Sequence, residues 1–159
     1  EIYRVLLDET TKEEDKAMYL NAIGEGKHTE GRYQEAVMFY KDSKAVSERI
    51  FKKDDKRLTS LYNNIAMLHD TLGNYPTALE NYHKCLNILK IALPENHPDF
   101  AAFYNNIGGV YNSLGDYSKA FENYKKCLNI QKIALPENHP FLATLWVIII
   151  GRSSSRRPK

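Results

Sequence analysis

The sequence is short of the residues that covalent staples and most site chemistry need. It has two cysteines in 159 residues, Cys85 and Cys127, and no Cys-x-x-Cys pair. A disulfide framework is therefore not expected, and a reduced, cytoplasmic setting fits better. Basic residues are not in excess. The formal charge is +2, and Arg152, Arg156, Arg157 and Lys159 fall in the last eight residues; without them the balance is −2. That excludes a nucleic-acid footprint over the body of the chain. The longest apolar run, Leu145 to Ile150, is far short of the ~20 residues of a membrane-spanning helix. No membrane partner and no signal peptide are expected. The chain opens on Glu1-Ile2-Tyr3 without an initiator methionine, and it reads as a fragment of a longer protein.

Catalytic signatures are missing too. There is no phosphate loop, no glycine-rich dinucleotide motif and no His-Glu-x-x-His. Glu95 and Glu137 recur with a fixed period (below), whereas a catalytic residue is normally unique within an array. His83 and Cys85 are separated by one residue, a poor metal spacing on a helix, and His97 and His139 occupy equivalent connectors, each before a proline. Zinc sites gather ligands in tight pairs, so loop hydrogen bonding is the better account of these histidines. The expectation is no enzyme activity, no metal, no cofactor and no small-molecule substrate.

What is present is ordinary for a folded protein: 43% hydrophobic and 26% charged residues. Eleven tyrosines outnumber six phenylalanines, which suits helices that bury one edge of a ring and wet the other.

The dominant signal is internal repetition. The stretch LYNNIAMLHDTLGNYPTALENYHKCLNILKIALPENHPDF from Leu61 returns as FYNNIGGVYNSLGDYSKAFENYKKCLNIQKIALPENHPF from Phe103, an offset of 42 residues. The same offset aligns Gly31, Gly73 and Gly115; Tyr33, Tyr75 and Tyr117; Ala36, Ala78 and Ala120; Tyr40, Tyr82 and Tyr124; and Ile23, Ile65 and Ile107. Three full repeats are expected over 17–58, 59–100 and 101–142. Residues 1–16 would be the second helix and connector of an upstream repeat, with Lys12 to Asp15 as connector. Residues 143–151 would start an incomplete repeat, with Trp146 in the aromatic register, and 152–159 a disordered basic tail.

Each unit reads as a helix pair. Leu61, Ile65 and Leu68 recur at helical spacing. Gly73 follows, where a left-handed residue ends a helix without steric penalty. Pro76 falls in the first turn of the second helix, whose inner stripe is Ala78, Leu79, Tyr82, Cys85, Leu86 and Leu89. Leu93 to Pro98 then interrupts it. Gly24, Ala66 and Gly108 share a mid-helix position. A glycine there costs about 1 kcal/mol relative to alanine, a cost that makes sense if the paired helix crosses closely, with Ala36, Ala78 and Ala120 as the matching hollow. Cys85 and Cys127, with Ser43 as counterpart, read as small buried fillers.

This pattern resembles the tetratricopeptide repeat. The residues that carry the resemblance are Leu20, Tyr62 and Tyr104; Ile23, Ile65 and Ile107; the small residue one place on; the turn glycine; and the tyrosine, alanine and aromatic that follow it. The 42-residue period and the Leu-Pro-Glu-Asn-His-Pro connector look like the kinesin-light-chain subtype. The resemblance implies an all-α fold, a right-handed superhelical solenoid of antiparallel helix pairs. It implies a protein-binding scaffold that takes an extended peptide or a helix in its concave groove. The same connector style resembles arrays behind ADP-ribosyltransferase domains, so a regulatory or targeting region of a larger enzyme is the alternative.

In folds of this kind the first-helix positions of Asn21, Asn63 and Asn105, and of Asn64 and Asn106, face the groove. An amide offers a donor and an acceptor to a bound peptide group. Met67, Asp70 and Asn112 are groove positions by the same register, with Ser60, Thr71, Ala102, Gly109 and Ser113 beside them, and Glu25 and His28 in the first repeat. The competing reading is that the asparagines bond across to neighbouring helices. Lys27 is the only basic residue on the first helix of repeat one, and later repeats have none there. A clamp for a C-terminal carboxylate is therefore not expected, and an amide-lined groove suits an internal segment held through its backbone.

Overall fold

The helical periodicity becomes seven helices. The computed structural model describes residues 2–9 and 12–134, and among these there are α1 (Ile2–Glu9), α2 (Glu13–Thr29), α3 (Tyr33–Ile50), α4 (Leu58–Thr71), α5 (Tyr75–Ala92), α6 (Asp99–Ser113) and α7 (Tyr117–Ala134), and no strand. The incomplete repeat at 143–151 with Trp146, the apolar run Leu145 to Ile150, His139 and the tail 152–159 lie outside the described residues. The chain divides into two compact units, Glu1–Ala92 and Leu93–Lys159. The first holds α1 to α5 and the second α6 and α7.

In each pair the turn follows from one glycine. Gly31, Gly73 and Gly115 have φ of 75°, 72° and 76°, a left-handed geometry that costs a residue with a Cβ about 1 kcal/mol or more. The N–H of Gly73 donates to the carbonyl of Asp70 at 2.9 Å, and that of Asn74 to His69 at 2.8 Å. The Gly31–Arg32 and Gly115–Asp116 turns repeat both bonds. These close the last open carbonyls of each first helix. Asp116 then starts α7 by accepting from the Lys119 N–H at 3.1 Å, an N-cap bond. One end differs from the sequence expectation. Glu13, Glu14 and Asp15, assigned there to a connector, form the acidic first turn of α2, where negative charge suits the helix dipole.

In the first and third pairs the glycine and the tyrosine explain one another. A Cβ on Gly24 would lie 2.7 Å from Cδ1 and Cε1 of Tyr40, and one on Gly108 would lie 2.7 Å from Cε1 of Tyr124. The close crossing expected at Gly24 and Gly108 is therefore real, but the partner is sharper than the alanine hollow. Ala36, Ala78 and Ala120 are buried, while the atoms that need the missing Cβ belong to the tyrosine rings one turn on. Ala66 fills the same register in the second pair and is fully buried.

A second recurring bond ties the pairs. The Ser43 hydroxyl donates to the carbonyl of Ala17 at 2.8 Å, and the Cys85 thiol to that of Thr59 at 3.4 Å. Both donor and acceptor advance by one period. Cys127 is buried in the next slot. Burial pushes the Cys85 thiol up to about 12 and the Cys127 thiol up to about 11, so the thiolate is strongly disfavoured at both positions.

In the first unit, Ala36 and Tyr40 of α3 pack with Leu61, Ile65 and Leu68 of α4. Leu7 of α1 packs against the cluster of Ala17, Leu20 and Val46. The α3–α4 connector is pinned by Arg57. Its guanidinium lies 3.9 Å over the Phe51 ring and bonds Asp55 at 2.7 Å and Glu14 at 3.0 Å. Arg57 holds the Asp55 carboxyl down at about 2. In the other connector type, the His97 ring nitrogen Nδ1 accepts from the Asp99 N–H at 3.3 Å, the loop role expected for it.

Candidate functional site

Two first helices of the first unit form one side-chain face. Asp15, Met18, Asn21, Glu25 and His28 recur every three or four residues along α2, so they share a stripe. Ser60, Asn63, Met67 and Thr71 do the same on α4. Three contacts join the stripes. The Asn21 amide donates to the Ser60 hydroxyl at 3.3 Å and accepts from the Asn64 amide at 3.3 Å. Nε2 of His28 lies 3.3 Å from the Thr71 hydroxyl, which itself donates to the Met67 carbonyl at 3.0 Å.

The asparagines divide into two kinds. Asn21 and Asn64 bond to each other, as the cross-helix alternative anticipates. Asn63 is half-buried, and among the described residues its amide nitrogen meets only the Met67 sulfur at 3.4 Å. A thioether is a weak acceptor, so this contact is easily exchanged. Met67 and Met18 are 43% and 55% exposed, which gives the face two flexible apolar side chains. Asp70 is half-buried, and desolvation raises its carboxyl above the ordinary value. Next to it, burial lowers the His69 imidazole, favouring the neutral ring.

Near the start of the two helices, a cleft of about 300 Å³ opens beside Asp15, Met18, Asn21, Ser60 and Arg57. In the second unit, α6 carries Asn105, Asn106 and Asn112 in the same register, each half-buried. The Asn112 side-chain oxygen is buried with no hydrogen-bond partner among the described residues. The register thus gathers Asn21, Asn63, Asn64 and Met67 on one face of the first unit, with Asp70 beside it, and puts Asn105, Asn106 and Asn112 on α6 of the second.

A larger concavity escaped the sequence reading. About 780 Å³ lies between the end of α3, the start of α4 and the end of α5, floored by Phe51, Leu58, Tyr62, Ile88 and Ile91 and rimmed by lysines such as Lys84. The Tyr62 hydroxyl donates to Glu48 at 2.9 Å, and the Lys84 ammonium sits 5.3 Å from the ring centroid. One signal could have found it. Ile91 and Ile133 fall one period apart and off the buried stripe, and both are about 70% exposed.

Among the described residues no helix is long and apolar enough to cross a membrane. Comparison with known proteins places the repeats. Two tetratricopeptide-repeat family models match, one over residues 15–91 and the other over residues 100–141. No curated protein matches the sequence. Among solved structures, BtubC (BKLC) from P. vanneervenii is similar at 22% identity and a TM-score of 0.82, over 92% of this chain and 61% of that one. The nearly identical TPR-like repeats of a P. anserina protein of kinesin-light-chain type are similar at 17% identity and a TM-score of 0.74, over 88% and 66%. The N-terminal domain of stress-induced protein-1 from C. elegans is similar at 14% identity and a TM-score of 0.62, over 86% and 99%. The chain thus spans about three-fifths of the BtubC chain. The fold is an all-α solenoid of helix pairs, and the chain belongs to the tetratricopeptide-repeat family, whose arrays are scaffolds for protein–protein interaction.

Proposed function

We propose that the chain binds an extended polypeptide segment on the face shared by α2 and α4. The observation that carries this reading is the α2–α4 face. It offers exposed Met18 and Met67, and an Asn63 amide with only a sulfur for company. Backbone groups of an extended segment need donors and acceptors at close range, and Asn63 supplies both. Methionine side chains adapt to the ligand's side chains at low cost in rotamer strain. Asn105 holds the Asn63 position on α6 of the second unit and offers the same donor and acceptor there.

Asn21 and Asn64 have a different part. Their mutual bond and the bond to Ser60 hold α2 and α4 in register, so they position the face. The test is a peptide array or pulldown with Asn63→Ala/Asn105→Ala against the parent chain. The expected result is weaker capture by the double variant with an unchanged circular dichroism spectrum. Equal capture by parent and variant removes the face from the account.

A further inference from the structure

Charge is sorted between the two kinds of helix. The first helices α2, α4 and α6 carry six acids against two lysines, Lys16 and Lys27, both on α2. The second helices α3, α5 and α7 carry nine bases against five acids. The small net charge of the whole chain conceals this separation. Core packing does not require it, because almost all of these groups lie outside the buried set.

Three acids belong to the α2–α4 region already described. Asp15 lines the cleft with Met18 and Asn21. Glu25 is exposed on the same stripe of α2, and Asp70 is half-buried near the end of α4. Among the described residues none of the three forms an ion pair. Lys27 is taken by Glu30 at 2.8 Å, and Arg57 by Asp55 and Glu14.

We infer that the occupant of this face is a cationic segment, an extended chain with two or more lysines or arginines that meet Glu25 and Asp70. The inference rests on the functional reading above and supplies the chemistry of the ligand. A neutral segment would leave both carboxylates without a partner, and an acidic one would be repelled. Asp70 has already lost part of its hydration in the free protein, so a cation there gains more than it would beside a fully solvated acid. Opposed charge also speeds encounter and makes binding sensitive to salt.

The experiment uses the full chain and three fluorescein-labelled dodecapeptides of serine and leucine. One has arginine at every fourth position, and its twins have glutamine or glutamate there. Fluorescence anisotropy should give at least tenfold tighter binding of the arginine peptide than of the glutamine twin in dilute buffer, with the gap closing as salt is added. Glu25→Gln and Asp70→Asn should each weaken the arginine peptide by about threefold to fivefold, the range of a partly exposed ion pair. Neither should change the glutamine twin. Circular dichroism checks that these near-isosteric variants stay folded.

Arginine and glutamine peptides of equal affinity would overturn the inference. If Asn63→Ala still weakens both, the functional reading survives without it. If Asn63→Ala and the two acid variants all leave the arginine peptide unaffected, both ideas fall together. Glutamate-peptide binding as tight as that of the arginine peptide also overturns the cationic assignment.

Discussion

Replacing Gly24 by alanine sets two energies of known size against each other. Helix propensity alone favours alanine in mid-helix by about 1 kcal/mol. Against this stands the ring of Tyr40, 2.7 Å from the new Cβ at two atoms. Tyr40 is 2% exposed, so the ring has no open side to swing into. Overpacking of this kind costs roughly 1–3 kcal/mol. The steric effect wins, and the net loss is about 1 kcal/mol. At a urea slope of about 2 kcal/mol/M this lowers the midpoint by about 0.5 M, read by circular dichroism. A double-mutant cycle isolates the cause. Gly24→Ala/Tyr40→Leu should be more stable than the sum of the two single changes predicts, because leucine removes the ring that alanine strikes. The reverse change, Ala66→Gly, should cost about 1 kcal/mol through backbone entropy. A higher midpoint for Gly24→Ala, the sign that propensity alone would give, refutes the close-crossing argument.

Four further outcomes follow from the geometry. Burial raises the folded-state carboxyl of Asp70 above its unfolded value, so the charged form weakens the fold near neutral pH and the deficit disappears as pH falls through the folded value. Asp70→Asn should therefore raise the urea midpoint at pH 7 and leave it unchanged at pH 3; a gain of equal size at both would refute the assignment. Asp116→Ala removes the side-chain acceptor for the Lys119 N–H and should cost about 1 kcal/mol, with loss of helix signal beginning at lower urea than in the parent. Ser43→Ala removes a buried bond to the Ala17 carbonyl and should cost about 1 kcal/mol. Cys85→Ser should stay within about 1 kcal/mol of the parent, because the first pair already uses serine in that slot; a much larger loss would show that the slots are not equivalent.

Much of the architecture was legible because repetition multiplies weak local signals. A single glycine after an apolar stripe says little, but Gly31, Gly73 and Gly115 at one offset mark three turns, and all three have positive φ. Likewise, Ser43 beside Cys85 and Cys127 in register announced a small buried slot. The hydrogen bond to the facing carbonyl was not legible, since nothing along the chain says which backbone oxygen lies across a helix crossing. The start of α2 was missed for a related reason. Glu13 to Asp15 read as a polar connector because they precede the apolar stripe, yet three acids also stabilise a helix N-terminus.

The candidate face was legible as a set of positions and not as a set of roles. Asn63 and Asn64 are adjacent and chemically identical, but about 100° of helix rotation separates them. One consequently reaches across to Asn21 and the other meets Met67. The charge separation was readable in principle from helix strings, but it emerges only once each residue is assigned to a first or a second helix. The 780 Å³ concavity draws on three segments far apart in sequence, and of its floor only Ile91, exposed one period before Ile133, leaves a periodic trace.

The buried thiols have a practical consequence. Cys85 falls in the unit ending at Ala92 and Cys127 in the unit beginning at Leu93. Each is sealed in the native state and becomes reactive only when its own helix pair opens. Where reclosing outruns the reagent, the modification rate at each thiol reports the local opening equilibrium rather than the intrinsic reactivity. The protein therefore carries two native clocks, one per unit, that can be read separately by mass spectrometry without adding a label. Whether the two halves unfold in one step or in succession becomes a comparison of two rates in a single sample.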